Sequence, residues 1–395
     1  MISESEAIER ILAAATPLPP ERLPVACALR RRAAVDVHSP IDLPRFNQSA
    51  MDGYAIRAED ATDELRITGE QPAGRDRNLH VGEGEAVRIF TGAPVPSGAN
   101  SVVMQEDVER IGNRIRVRCE VAPGEFIRPR GGDLCAGQTV LHAGDLINAA
   151  RIGLLVSIGI VEIEVHRLPR IGIVSTGDEL LPAGAVPAPG ESIDSNTPML
   201  AAMLGDIGTI CATRHSPDDP VTLAETLGSL ADADVLVLSG GASVGDHDPV
   251  HAALDRLGAE RIFWKVDIKP GRPLLFARWE HRLIFGLPGN PVSSFVAATL
   301  FVRPALLRLG GTNRQSALPR HLHVPLASPA SNPGSRPHYL RGTVRDGHFH
   351  PAQVQQSHGL AALAASNAIA RLNPNATLPA ETPIEVLVFS VDACS

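Results

Sequence analysis

At residues 236–248 the sequence reads LVLSGGASVGDHD, an apolar run that breaks into small residues and ends on two carboxylates. Val235, Leu236, Val237 and Leu238 form a short unbroken apolar stretch, the pattern of a strand buried on both faces of a parallel sheet. Ser239, Gly240, Gly241, Ala242, Ser243 and Gly245 then supply backbone without bulk, so amide N–H groups can come close to an anion. Asp246 and Asp248 follow at once. A carboxylate beside a phosphate cradle needs a cation between them, and Mg²⁺ with a phosphorylated ligand fits. A glycine-rich strand-to-helix turn with a solvated acidic end accounts for the same letters equally well.

This strand belongs to a longer alternation. Strand candidates at 170–174, 235–238, 262–268, 274–277 and 283–287 are interleaved with helical stretches at 195–204, 223–230, 251–257 and 293–307. Such spacing predicts a doubly wound α/β domain over 169–316. Upstream, residues 3–15 read as a helix, with Ser3 and Glu6 resembling a capping box. From 25 to 140 the chain is short strand-like runs punctuated by Gly and Pro, which indicates β-rich modules. Short strands return after Gly310 and Gly311, predicting a small C-terminal β domain. The fold class is therefore multidomain α+β, and 395 residues suit about two to four domains.

Composition removes several functions. Aromatics are 4 % of residues, too few for a platform that stacks single-stranded bases. A net charge of −8 disfavours nucleic acid or an anionic membrane as partner. The five cysteines (Cys27, Cys119, Cys135, Cys211, Cys394) form no CxxC pair, so neither a cysteine zinc site nor a disulfide framework is expected. The N-terminus MISESEAIER lacks a secretory pattern, and the apolar stretch 147–165 carries Arg151, Glu162 and Glu164. A cytoplasmic protein is expected.

In an open α/β sheet, ligands bind where loops leave the carboxyl ends of the strands. Four such loops are chemically loaded. Ser175, Thr176 and Gly177 offer hydroxyls and an amide, followed by Asp178 and Glu179, although a helix N-cap would use the same residues. The loop at 239–248 is the second, and Asp218-Asp219-Pro220 adds an acidic pair that also reads as a helix-initiating turn. In KVDIKPGR (265–272), strand alternation puts Lys265, Asp267 and Lys269 on one face, with Arg272 beyond; an anion site and a solvated edge strand both fit. Pro288, Gly289, Asn290 and Pro291 make a rigid loop ahead of a helix, suited to an anion or nucleobase. The β-rich half adds Asp52 in SAMDGY, Thr91 in FTGAP and Asp133 in RPRGGD, each of which is a structural turn by default.

Taken together, FNQSAMDGYAI (46–56), RIFTGAPVPSGANSVVMQED (88–107), IRPRGGDLCAGQTVL (127–141), IVSTGDEL (173–180), SIDSNTPML, LSGGASVGDHD, KVDIKPGRPLLFA and LPGNPVS strongly resemble the molybdenum insertases. These molybdopterin molybdenumtransferases include the C-terminal domain of gephyrin, and the resemblance covers nearly the whole chain. Asn47 and Asn100 stand where that family more often has Asp. The resemblance implies a reaction: molybdopterin activated as its AMP ester receives molybdenum from molybdate, the pyrophosphate bond is cleaved, and AMP leaves. A divalent cation, usually Mg²⁺, assists.

By the same resemblance Glu179, Asp218 and Asp248 are the acidic members of the site, with Glu179 and Asp248 as metal ligands. Lys265 and Lys269 are the basic members, Pro288 and Pro291 shape the pocket, and Asp52, Thr91 and Asp133 are the contribution of the β-rich half. The resemblance further implies a homodimer in which Asp52 and Thr91 complete the partner's site. It also implies a discontinuous N-terminal domain (1–26 with 142–168) into which 27–141 is inserted, followed by 169–316 and 317–395. A molybdopterin adenylyltransferase and acceptor molybdoenzymes are its implied partners. The adenylylation step itself is the nearest rival function; its enzymes typically carry GGTG where this chain has SGGASVG. A non-catalytic scaffold is the other rival, disfavoured by the retained acidic set.

Overall fold

The computed structural model describes residues 1–240 and 249–389, which form two compact units, Leu23–Ile163 and Met1–Arg22 with Glu164–Ser395. Helix α1 (Glu4–Ala14) belongs to the second. Ser3 caps it, its hydroxyl accepting the Glu6 N–H at 3.2 Å, and the Glu6 carboxylate accepts from Arg10 at 2.6 Å along the exposed face.

The unit Leu23–Ile163 is built around a six-stranded sheet. Its strands are β1 (Gly53–Ile56), β2 (Glu64–Gln71), β3 (Glu85–Ile89), β4 (Ser101–Met104), β5 (Val108–Ile111) and β6 (Arg114–Val117), in the order β4-β1-β3-β2-β6-β5. Tyr54, Ile56, Leu65, Ala86, Val103 and Ile115 pack one core of it. The β-rich character expected between 25 and 140 is what folds.

The larger unit carries the α/β sheet. Its parallel strands are β7 (Arg170–Thr176), β8 (Thr209–Ser216), β9 (Val235–Ser239) and β12 (Arg282–Leu287); β10 (Glu260–Trp264) and β11 (Leu275–Trp279) complete it in the order β8-β7-β9-β12-β11-β10. Alternate side chains leave on opposite faces. Ile171, Ile173, Val235, Val237, Leu283 and Phe285 pack against α1, α2 (Asn196–Leu204) and the long helix α5 (Pro291–Leu309). Val174, Leu236, Leu238 and Ile284 pack the other way, against α3 (Pro220–Ser229) and α4 (Pro249–Leu257). Helices on both faces explain why these strands are apolar throughout rather than alternating. The same burial explains α5. It is long and apolar enough to cross a bilayer, yet 83 % of it is buried inside the protein.

Two expectations are corrected. STGDEL does not turn into a helix: after β7 the chain makes a short parallel pair, Leu180–Leu181 with Ser192–Ile193, and helix begins only at Asn196. Residues 182–190 (PAGAVPAPG) hold three prolines and two glycines, which disfavour a helix there. Nor do 265–269 continue a strand. β10 ends at Trp264, Lys265 takes φ +71°, and β11 returns antiparallel to both β10 and β12. Val266 and Ile268 are still fully buried, because the loop folds its apolar residues inward without ladder pairing.

Beyond α5 lies a five-stranded antiparallel sheet. Its strands are β13 (Leu322–Pro325), β14 (His338–Arg345), β15 (His348–Pro351), β16 (Ala368–Leu372) and β17 (Pro383–Val388), in the order β13-β17-β16-β14-β15. Its leading edge grips the loop after β10: Lys269 N–H donates to Pro337 O at 2.9 Å and Tyr339 N–H to Lys269 O at 2.7 Å.

Candidate functional site

Register fixes which loops meet. Ser175 pairs with Ser239 and Ser239 with Leu287, so β7, β9 and β12 end level with one another. Thr176 pairs with Ser216 in the same way. Because β10 runs in the direction of β12, its exit at Trp264 faces this edge too. An open cleft of ≈ 880 Å³ lies there. Thr176, Gly177 and Glu179 line it from β7, Asp218 from β8, Ser239 and Gly240 from β9, and Pro288, Gly289, Asn290 and Pro291 from β12.

The Glu179 carboxylate folds back over Gly177, whose φ is +146°; a Cβ there would come within 2.7 Å of Glu179 Oε2. Partial burial first, then the neighbouring Asp178 and Glu179, push the Asp218 carboxyl above the ordinary range. Its neighbour Asp219 is held below that range by hydrogen bonds from Thr222, whose N–H (2.8 Å) and hydroxyl (2.7 Å) it accepts as the N-cap of α3. Asp219-Pro220 is thus a helix start, while Asp218 faces the cleft.

Asp218 yields a sign-definite expectation. An acid whose folded pKa is raised favours folding while protonated, and that contribution is lost as pH rises through the folded value. Asp218→Asn is therefore expected to melt above the parent at pH 7. The gain should vanish near pH 4, around the ordinary carboxyl value. Thermal melts at both pH values check it, and an Asn variant that melts lower at pH 7 contradicts the electrostatic assignment.

A second cleft, of ≈ 470 Å³, has Lys269, Gly271, Arg272, Arg336 and His338 in its lining, together with Ser293, Ser357 and three glutamines, and no carboxylate among the described residues. It shares Pro273 with the acidic cleft. Burial, with Lys269, Arg341 and Arg336 nearby, pushes the His338 imidazole down to about 4, so it is neutral at physiological pH. The wall at 353–357 is pinned by Arg341, itself 1 % exposed, which donates to Val354 O at 2.7 Å and Gln356 O at 3.1 Å.

Not every expected residue joins these clefts. Ser175 lies 3.3 Å from His215 Nδ1 and lines a separate cleft of ≈ 410 Å³ with Leu180, Leu181 and Thr213. Lys265 lines none of the three; its ammonium rests over the Trp264 ring, 3.7 Å from the centroid. Gly241, Ser243, Gly245 and Asp248 lie outside the described residues. In the β-rich unit Asp52 accepts both the N–H and the hydroxyl of Thr91 at 2.7 Å, bonds that hold its carboxyl below the usual range. Asp133 is exposed, its N–H donating to Leu43 O. Among the described residues no three His, Cys, Asp or Glu side chains converge on one point as a metal cage.

Sequence reasoning missed Asn196 and His358 in the acidic cleft, and Arg336 and His338 in the basic one. Asn196 sits in SIDSNTPML, where it reads as a helix start. Arg336 and His338 border a Pro/Gly/Ser stretch at 331–337 that reads as a linker.

A doubly wound sheet with an acidic, hydroxyl-bearing cleft at its carboxyl edge and a basic cleft beside it defines an α/β protein of the kind that binds ligands at that edge. Three family models match in order: MoeA N-terminal region (domain I and II) over 2–159, probable molybdopterin binding domain over 172–308, and MoeA C-terminal region (domain IV) over 323–389. The chain is 37 % identical to a molybdopterin molybdenumtransferase of Nostoc, over 87 % of this chain and 82 % of that one. It is 35 % identical to another from Synechococcus elongatus, over 98 % and 99 %. The crystal structure of a molybdopterin biosynthesis MoeA protein from Pyrococcus horikoshii superposes with a TM-score of 0.85 at 28 % identity, covering 98 % of this chain and 100 % of that one. The chain belongs to the MoeA family of molybdopterin molybdenumtransferases.

Proposed function

We propose that this chain inserts molybdenum into molybdopterin presented as its AMP ester, taking molybdate as co-substrate and releasing AMP and molybdenum cofactor. The observation that carries the reading is the adjacency of two clefts of opposite character on one sheet edge. One holds Glu179 and Asp218 among hydroxyls and glycines, the other Lys269, Arg272 and Arg336 with no carboxylate among the described residues. The pterin nucleotide takes the first, with the Thr176 and Ser239 hydroxyls and the rigid 288–291 loop around its pyrophosphate. Molybdate takes the second, where Lys269 acts as a point charge and Arg272 as a fork.

Mg²⁺ fits the donor chemistry of the acidic cleft. Glu179 and Asp218 offer hard carboxylate oxygens, and partial burial with Asp178 and Glu179 beside it raises the Asp218 pKa. Glu179 and Asp248 would hold the ion, which when bound offsets charge on the pyrophosphate. Lys269 and Arg272 hold anionic oxygens beside the bond to be broken, Lys265 enters only through the family resemblance, and the shared boundary at Pro273 brings the two substrates together. Asp52, Thr91 and Asp133 enter through the family resemblance, as the contribution of the β-rich half to a homodimer. The domain division 1–26 with 142–168, 27–141, 169–316 and 317–395 enters in the same way. A cytoplasmic setting, supply from a molybdopterin adenylyltransferase and delivery to acceptor molybdoenzymes complete the proposal.

The test is AMP release from adenylylated molybdopterin with Mg²⁺, with and without molybdate. Molybdate-dependent release is expected. Binding of the nucleotide without turnover would make the chain a carrier or scaffold on the same fold, and the catalytic roles would be withdrawn.

A further inference from the structure

Asn196 is the first residue of α2 and lines the acidic cleft, and none of the roles above uses it. It is 8 % exposed. Its Nδ2 donates to Ser239 Oγ at 2.9 Å and to Gly289 O at 2.7 Å, tying the end of β9 to the loop after β12. The amide cannot be turned round, because Oδ1 would then face the Gly289 carbonyl, and two acceptors repel. Oδ1 is therefore the atom left over, and it is buried with no hydrogen-bond partner among the described residues. Thr176 Oγ1, in the same cleft, is unpartnered and buried as well. Leaving a buried acceptor unsatisfied costs a folded protein stability, and a cleft wall built for packing alone would carry an apolar side chain there.

An acceptor of this kind constrains its ligand. A carboxamide oxygen cannot pair with molybdate or with an ionised phosphate, since neither brings a proton. The ligand must supply an N–H or O–H donor, and a pterin carries ring and amino N–H groups on one edge. We infer that Asn196 is a substrate-recognition residue whose Oδ1 accepts an N–H of the bound pterin while its Nδ2 holds two walls of the cleft together. This rests on the acidic cleft being the pterin-nucleotide site.

The experiment measures binding of molybdopterin, of adenylylated molybdopterin and of AMP alone to the parent, Asn196→Ala and Asn196→Asp, with a thermal melt of each variant to establish folding. Asn196→Ala is expected to weaken molybdopterin and its AMP ester alike by about 10- to 100-fold, the usual loss for one such bond. AMP binding should change less than threefold, and so should molybdate binding in the basic cleft. Asn196→Asp keeps the accepting oxygen but turns a second oxygen on the Gly289 carbonyl, so it should melt below the parent while binding the pterin ligands more tightly than Asn196→Ala. If AMP binding falls as far as pterin binding in both variants, Asn196 only clasps the walls and the inference falls. It falls too if Ala binds like the parent, or if the loss appears only with adenylylated ligands, which would put the donor on the adenosine. A parent that binds neither molybdopterin nor its AMP ester would overturn the assignment of the cleft itself.

Discussion

Glu179→Gln is expected to lower molybdate-dependent AMP release by roughly a hundredfold to a thousandfold, with the affinity for adenylylated molybdopterin held within about threefold of the parent. Gln keeps the volume of the side chain and its capacity to lie against Gly177, whose missing Cβ is what lets the Glu179 carboxylate fold back into the cleft. What it removes is one negative charge. Binding should tolerate that loss, because taking a negative charge from a cleft that receives a pyrophosphate also removes repulsion. Turnover should not, because a neutral amide is a poor ligand for a hard divalent cation and the charge on the breaking bond is then left unbalanced. Raising Mg²⁺ should restore part of the rate in the variant. A Gln variant that turns over like the parent at all Mg²⁺ concentrations would assign Glu179 a structural role in the β7 turn. Asp248→Ala, at the end of the LSGGASVGDHD segment, is expected to share the phenotype.

The sheet and most of the acidic cleft were legible because both obey local rules. Unbroken apolar runs at 170–174, 235–238 and 283–287 mark strands buried on both faces, and in a parallel sheet such strands deliver their following loops to one edge. The three loops carrying Thr176, Ser239 and Pro288 therefore had to meet once the strands were recognised, and their register confirms it. What was not legible depends on tertiary context. The Lys265–Lys269 alternation is real in burial but not in backbone, since φ +71° at Lys265 ends the strand, and Lys265 and Lys269 then part company. One rests on Trp264, the other lines the basic cleft. His338 and Arg336 come from a β domain some seventy residues downstream of that loop, and they are brought in by the bridge between Lys269 and His338 and by the bond from Arg336 to Ile268 O. No periodicity in either segment encodes that pairing.

Gly240→Ala is expected to be strongly destabilising. Gly240 has φ +97°, and a Cβ built on it would stand 2.4 Å from Thr176 O and 3.2 Å from Thr176 Oγ1. The backbone strain costs any L residue about 1–2 kcal/mol. The steric part adds about 1–3 kcal/mol, because the obstructing atom is a backbone carbonyl of β7 rather than the end of a flexible side chain. Gly240 N–H also donates to Leu287 O at 3.3 Å, so relief by moving the turn would pull it from β12. The total, roughly 3 kcal/mol, is a substantial part of the stability of an ordinary domain. Relaxation would have to part β7 from β9 at the lip of the cleft that Thr176 and Ser239 line. Affinity for the pterin nucleotide should therefore fall together with the denaturation midpoint. Gly289→Ala, on the opposite wall, separates the two effects: among the described residues its Cβ would meet nothing nearer than Gly240 Cα at 3.7 Å, an ordinary contact, so its stability should stay close to the parent's. Equal denaturation midpoints for the two variants would mean that the β7–β9 turn yields without cost. The close approach of Gly240 to Thr176 would then not be what holds the cleft in shape.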